Sequence, residues 1–338
     1  MGLDPSVVTI PEIEQLITAK YRIGPVQQIH ILTGGDNHCY HIVTPGHEVV
    51  LKEMSVNAMN HPEMEPIVAE TLANAAIPTP RFYQTIDGSQ VWALKGKSFH
   101  VQQFIPGRVY ARHTAPDWLL WDSAGLLGRI HRALSPLPLL VDGMGANWYQ
   151  NHQSERTRQS YQQTHTLAEQ MGQPLLAADA RYRLTLVPLL DQFKFDFERL
   201  TRRNTHGDYH AGQLICGESQ IRAVIDLTTA CVHPIIWELI RAYAYAAPEC
   251  CQGEINIARL KEFINLYLKH GYLSPYDLQM MPYFYFYQLI RSNYVQQYFD
   301  ADASGQSLAL ELAIWSTKMC HWFEAHGEFL AEELSRSF

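Results

Sequence analysis

The stretch that most constrains this chain is His206-Gly207-Asp208-Tyr209-His210-Ala211-Gly212-Gln213-Leu214-Ile215-Cys216, followed after a short turn by Ala223-Val224-Ile225-Asp226. A loop with His, Gly and Asp in succession feeds a brief apolar run, and a second apolar run ends in another Asp. Two such runs joined by a polar turn read as a hairpin, so the pattern aims two carboxylates at one place. An Asp after a Gly is by itself an ordinary turn residue, because Asp tolerates left-handed backbone and bonds its own main chain. The stretch gains weight from the chemistry-bearing residues that precede it.

Phosphoryl transfer asks little covalent chemistry of a protein. It needs a held nucleotide, a divalent ion, and a carboxylate placed to take the proton of the attacking hydroxyl. Asp208 suits that base and Asp226 suits the carboxylate that bridges Mg2+ to the phosphates. Upstream, Leu32 to Val43 reads as a strand, a turn at Gly34-Gly35-Asp36-Asn37 and a returning strand. Glycines there let backbone N–H groups approach phosphates, although the same residues make an ordinary hairpin turn. Val49-Val50-Leu51-Lys52 follows as a third strand. A lysine ending an apolar β run places its charge near a core, which is costly unless a partner awaits it; otherwise its stem simply carries the charge to solvent. The helix read over 63–75 offers Glu63, Glu65 and Glu70 as partners, with Pro66 in its first turn.

Three pieces in order, His206-Gly207-Asp208 with Gln213 five residues after the Asp, Val224-Ile225-Asp226, and Trp237-Glu238-Leu239-Ile240-Arg241, resemble the aminoglycoside phosphotransferase and choline kinase family over about residues 25 to 300. The resemblance implies a protein-kinase-like, two-lobed α+β fold with an N-terminal antiparallel sheet carrying one main helix, and a mostly helical C-terminal lobe. It divides the chain into a nucleotide-binding lobe (1–101), a hinge (102–107) and a helical lobe (108–338). It implies ATP and Mg2+ as cofactors, with Asp208 catalytic and Gln213 and Asp226 holding the metal. Gly34, Gly35, Asn37, Lys52, Glu65, Gln103 and Phe104 would hold the nucleotide, the backbone around Gln102 to Phe104 bonding the adenine. Counting back from Ile77-Pro78 puts Glu65 on the lysine-pairing position, with Glu63 and Glu70 as rivals.

The chain also departs from the family pattern. Gln213 stands where the family has Asn, and its extra methylene moves the amide oxygen, so a degenerate protein that binds nucleotide without efficient transfer is the alternative. Glu238 stands where the family has Asp; a Glu238–Arg241 ion pair is the expected support of the catalytic loop. The Ala-Pro-Glu and Asp-Phe-Gly segments of protein kinases are absent, which favours a small-molecule hydroxyl acceptor such as an amino alcohol, a homoserine-like compound, a sugar or an aminoglycoside.

Beyond the hinge, helical spacing predicts helices over 118–134, 182–200, 282–299 and 308–330, a loop and one helix over 140–175, and a loop over 228–234. His131 reads as a packed or helix-end histidine. Tyr283, Tyr287, Tyr294 and Tyr298 fall on one stripe of the 282–299 helix, either an aromatic core face or a cage for an ammonium group. The 26 basic and 34 acidic side chains give a net charge of -8, which argues against nucleic-acid and anionic-membrane surfaces. No apolar run reaches the ~18 residues of a membrane span and the start lacks a signal-peptide pattern. The six cysteines lack zinc spacing, and together these features predict a cytoplasmic protein with reduced thiols.

Overall fold

Thr9 caps the first helix, α1 (Ile10–Lys20), through a capping box with Glu12 and with Pro11 in the first turn. Its Ile13 and Ile17 are fully buried, each stabilising the lobe by ~1.5–3 kcal/mol. The computed structural model describes residues 5–32, 37–54, 61–151, 154–292, 294–301 and 303–338; Gly34 and Gly35 lie outside them. Helix α1 covers one face of an antiparallel sheet built from β1 (Gln28–Leu32), β2 (His38–Val43), β3 (Glu48–Met54), β4 (Phe82–Tyr83), β5 (Val91–Leu94) and β6 (Lys97–Gln103). Helix α2 (Met64–Asn74) lies between β3 and β4 in sequence.

The strand order is β1-β2-β3-β6-β4, with β5 also paired to β6. β4 covers only two residues, and it pairs with β6 and not with β5. The hairpin is β5–β6, closed by Lys95 and Gly96, both at positive φ, the geometry a two-residue turn requires to match strand twist. As a result β6 sits inside the sheet, not at its edge.

The larger apolar cluster draws on the helices α3 (Asp117–Leu134), α4 (Ala146–Gln150), α5 (Ser154–Gln170), α6 (Pro174–Leu186), α7 (Ile235–Ala246), α8 (Ile257–Leu268), α9 (Pro275–Ile290) and α11 (Ala303–Ser337), whereas α10 (Tyr294–Asp300) joins a smaller cluster with α5, α6 and α11; two small sheets complete this part of the chain. Those sheets pair β7 (Arg202–Thr205) with β10 (Cys231–Pro234) and β8 (Leu214–Cys216) with β9 (Ile221–Val224). The same cluster takes in Val68, Ala69 and Leu72 of α2, so that helix packs on the helical part of the chain, while its Glu65 reaches Lys52 of β3 and His100 of β6. Among the described residues no helix is long and apolar enough to cross a membrane.

The helical part departs from the sequence reading in four places. The helix expected over 182–200 stops at Leu186, where Pro188 permits only one 3-10 turn. Residues 231–234 form β10 where a loop was expected, because Val232 and His233 pair with Asn204 and Arg203. The region 140–175 holds two helices. The expected 282–299 helix breaks after Ile290 into α9 and α10, so the tyrosines share no single stripe. Tyr287 and Trp148 instead present their faces to the chain's own cation: the Arg291 guanidinium lies 5.2 and 3.9 Å from their ring centres. The cage reading therefore fails at Tyr287, which belongs to an aromatic core with Phe193, Phe195 and Tyr149.

Candidate active site

Side chains alternate along β3. Val49 and Leu51 therefore enter the cluster under α1, and Lys52 is turned to the opposite face. Its burial needs compensation, and the structure supplies it: Lys52 Nζ donates to Glu65 Oε1 at 3.0 Å and to Asp226 Oδ1 at 2.8 Å. Glu65, on the first turn of α2, is thus the partner among the three glutamates, its side chain only 2% exposed. It also accepts from His100 Nε2 at 2.9 Å. Burial pushes the Glu65 carboxyl up, but Lys52 and then His100 more than offset this and bring it down to about 2. Burial likewise opposes charge on Lys52, and the two carboxylates reverse the effect and raise its pKa. A paired, fully hydrogen-bonded charge is the form in which a lysine is tolerated inside a protein.

The sequence reading did not single out His100. It sits on β6 directly across from Lys52 in the β3–β6 register, so the signal existed only once strand pairing was known.

The catalytic stretch is built by the β7–β10 and β8–β9 pairs. β7 delivers His206 to Asp208 as a loop and one 3-10 turn (Ala211–Gln213) leads into β8. The Ile225 N–H donates to the Gln213 carbonyl at 3.0 Å, which brings the residue before Asp226 alongside Gln213. Gly207 has φ +84°, and a Cβ there would collide with the Thr229 carbonyl, so only glycine fits. Asp226 also takes the left-handed region, at φ 60°, and accepts from Thr228 Oγ1 at 2.8 Å. A non-glycine residue in that region is strained unless its surroundings fix it; the Lys52 and Thr228 contacts to its carboxylate do so.

Gln213 Nε2 lies 3.2 Å from Asp208 Oδ2 and 3.5 Å from Asp226 Oδ2. The longer side chain therefore reaches between the two carboxylates. Turning the amide about its last bond exchanges NH2 for oxygen at the same place. The donor set of two partly open carboxylates (32% and 30% exposed) and one amide is hard and oxygen-rich, which suits a divalent ion of the Mg2+ or Ca2+ type that keeps water and phosphate ligands. Among the described residues no three His, Cys, Asp or Glu side chains form a ready metal cage.

Glu238 supports the loop, though not by pairing with Arg241. Its carboxylate accepts from the backbone N–H groups of Gly207 (2.6 Å), Tyr209 (3.3 Å) and His206 (3.3 Å), and from His131 Nε2 (2.9 Å). His131 is therefore more than a packed residue: it links α3 to the loop's buried anchor and meets the Tyr267 hydroxyl with its other nitrogen. His206 is structural, its Nε2 donating to the Ile225 carbonyl at 2.9 Å while Nδ1 accepts from the Asp208 N–H at 3.3 Å.

Arg241 is the one residue of α7 that is only partly buried, and its Nη2 lies 2.6 Å from Asp208 Oδ1. One turn along α7 separates it from Glu238, so the two share a helix and serve different ends of the loop. Burial tends to raise the Asp208 pKa, but Arg241 and His210 (Nε2 to Oδ2, 3.5 Å) hold the carboxyl well below the usual range. Burial outweighs Asp208 at His210 and lowers the imidazole pKa, favouring its neutral form.

At the end of β6 two backbone N–H groups are already engaged. The Gln103 N–H donates to the Arg81 carbonyl at 2.8 Å and the Phe104 N–H to the Glu48 carbonyl at 3.0 Å. These two residues therefore have carbonyl oxygens and side chains to offer an adenine, not N–H groups. The Phe104 ring is stacked on His41 with centres 3.7 Å apart. Asn37 directly precedes β2. Beyond this segment, Arg108 exchanges backbone hydrogen bonds with Cys216 of β8 (3.0 and 2.8 Å), and a Cβ on Gly107 would strike Ile215.

A lysine on the third strand paired with a helix glutamate, and two aspartates on the loop and hairpin beyond, define the protein-kinase class of phosphotransferase sites. Comparison with known proteins agrees. Residues 29–265 match the profile of the phosphotransferase enzyme family, and the chain belongs to that family of small-molecule kinases. No curated protein sequence matches it. Solved structures with the same fold include a spectinomycin phosphotransferase in complex with ADP and spectinomycin (16% identity, TM-score 0.64, covering 94% of this chain and 99% of that one). A microcompartment-associated aminopropanol kinase is similar at 15% identity and TM-score 0.64 (96% and 99% covered). The amicoumacin kinase hAmiN, in complex with AMP-PNP, Ca2+ and Ami, is similar at 15% identity and TM-score 0.59 (92% and 93% covered). The protein is accordingly a phosphotransferase with an alcohol group as acceptor.

Proposed function

We propose that the chain moves the γ-phosphate of ATP to a hydroxyl of a small molecule, with Asp208 as the group that orients and deprotonates the acceptor. The observation that carries this reading is the convergence of Lys52 on Asp226, with Gln213 linking Asp226 to Asp208. Lys52, held by Glu65, which His100 anchors in turn, is placed to hold nucleotide phosphates. Gly34, Gly35 and Asn37 would bind the phosphates, and Gln103 and Phe104 the adenine. Residues 102–107 would be the hinge between a nucleotide lobe (1–101) and an acceptor lobe (108–338), with Gly107 and Arg108 anchoring its far end on β8.

Asp226 and Gln213 would hold Mg2+, which when bound supplies neutralisation of the charge on the phosphate oxygens. The acceptor hydroxyl donates to the Asp208 carboxylate. Its oxygen then forms the new bond to the γ-phosphorus as the bond to the bridging oxygen breaks, ADP leaves, and the proton passes to Asp208. Held by Arg241, Asp208 is a weak base. That suits a loose transition state, in which orientation matters more than early proton removal.

Asp208→Asn keeps the shape of the side chain and removes the base. It should lower kcat by about 10²-fold or more while nucleotide binding persists. Turnover at the wild-type rate would remove Asp208 from the mechanism. The Gln213 amide, lying between the carboxylates, favours one second reading, a nucleotide binder without transfer. ADP release across a hydroxyl panel with Mg2+ titrated separates the two.

A further inference from the structure

The wall beside Asp208 is made of hydrogen-bond donors. Tyr245 of α7 lies against two guanidiniums: Arg241 Cζ is 4.2 Å and Arg112 Cζ 5.6 Å from its ring centre. His210 packs on the same ring at 5.6 Å. Three buried nitrogens here, Arg241 Nη1, Arg112 Nη1 and Trp237 Nε1, have no hydrogen-bond partner among the described residues, and the Trp237 ring lies 5.3 Å from Arg241 Cζ. Buried donors left unmade are rare in folded proteins because each forfeits its hydration. A cluster of them beside a catalytic group marks a place where acceptor atoms bind.

The charges point the same way. Among the described residues, Arg241 has Asp208 as its one carboxylate partner and Arg112 has Glu311, at 3.3 Å. Glu311 is 64% exposed, and such a pair is weak and screened. Once Asp208 turns its carboxylate to the acceptor hydroxyl, Arg241 has no anion of its own. An acceptor bearing ammonium groups needs carboxylates at this wall, whereas the wall offers two guanidiniums.

We infer that the acceptor is an anionic alcohol, carrying a carboxylate or phosphate group that Arg241 and Arg112 receive across the face of Tyr245. Guanidinium forks match both groups in geometry. Resting on the phosphotransfer reading, this inference names its substrate class. Asp208 exchanges the Arg241 contact for the hydroxyl as the substrate's own anion takes up Arg241, so binding a correct acceptor frees the base.

The test uses the full chain with ATP and Mg2+ and matched acceptors: D-glycerate, 4-hydroxybutyrate and glycerol 3-phosphate against glycerol, homoserinol, ethanolamine and spectinomycin. ADP release gives kcat and KM, and melting temperature with AMP-PNP gives binding. At least one anionic alcohol should exceed its uncharged or cationic counterpart in kcat/KM by about 10- to 100-fold, the scale of one charge-assisted pair. Arg112→Gln should erase that preference through KM, with kcat kept and the melting temperature of the free protein unchanged; Arg112→Lys should restore part of it. Faster turnover of glycerol, homoserinol, ethanolamine or spectinomycin overturns the inference while leaving the kinase reading intact. So does a panel in which no anionic compound is turned over or raises the melting temperature of the nucleotide-loaded protein. Failure of ATP itself to raise that temperature would strike the phosphotransfer reading instead.

Discussion

Replacing Glu238 by Gln tests whether one buried carboxylate sets the position of the catalytic loop. The substitution preserves volume and removes the charge. The side-chain oxygen of Gln would keep the short contact with the Gly207 N–H and the longer one with Tyr209. Its NH2 would then face the His206 N–H and His131 Nε2. His131 can answer by moving its proton to Nδ1, which then donates to the Tyr267 hydroxyl. The His206 amide has no such choice and is left as a buried donor without an acceptor. Losing one charge-assisted bond and orphaning its donor costs about 2–4 kcal/mol. With an unfolding entropy of about 2.1 cal/mol/K per residue, a chain of 338 residues loses about 3–6 °C of melting temperature for that change. Because Gly207 and Asp208 follow directly on the orphaned amide, a shift of about 1 Å in the base should lower kcat by up to 10²-fold. Calorimetry gives the first quantity and a coupled ADP-release assay the second. A melting temperature within about 1 °C of the wild type together with an unaltered kcat would refute the idea that Glu238 positions the loop through its charge.

Three further outcomes follow from the site. Lys52→Ala should abolish the rise in melting temperature that ATP and Mg2+ give the wild-type protein, because Asp226 and the phosphates lose the cation between them; a retained rise of equal size would place the nucleotide elsewhere. Gln213→Ala should raise the Mg2+ concentration for half-maximal turnover about 10-fold or more with little effect on melting, as a lost ligand does; an unchanged Mg2+ requirement would free Gln213 of a metal role. Glu65, brought down to about 2 from an ordinary 4.5, binds fewer protons folded than unfolded, so its contribution is present above pH 4.5 and is lost as pH falls from there toward 2; Glu65→Gln should flatten the acid limb of the stability curve, and an identical limb would contradict the pairing.

How much of this was legible in sequence depends on the range of the interaction. The order of Lys52, Asp208 and Asp226, and the hairpin that carries the two aspartates, follow from local apolar patterning and spacing. Glu65 could be ranked above Glu63 and Glu70 only through resemblance, and its burial under Lys52 settles the choice. The tyrosine stripe over 282–299 failed because a periodic pattern cannot reveal a chain break when the residues on both sides are equally apolar. The expected Glu238–Arg241 pair failed for another reason: three backbone N–H groups and His131 already fill the carboxylate, so Arg241 turns to Asp208.

By itself, then, the sequence determined the kinase-like order of elements and the identity of the charged residues, because strand alternation, helix spacing and turn chemistry are written within a few residues of each other. Which of those charges meet was decided only by tertiary structure. His100 opposite Lys52, His131 beneath Glu238, and Arg112 beside Arg241 at the Tyr245 ring come from segments far apart in the chain. A charge is tolerated inside a fold when the whole fold delivers its partner, and no local pattern records where that partner will come from.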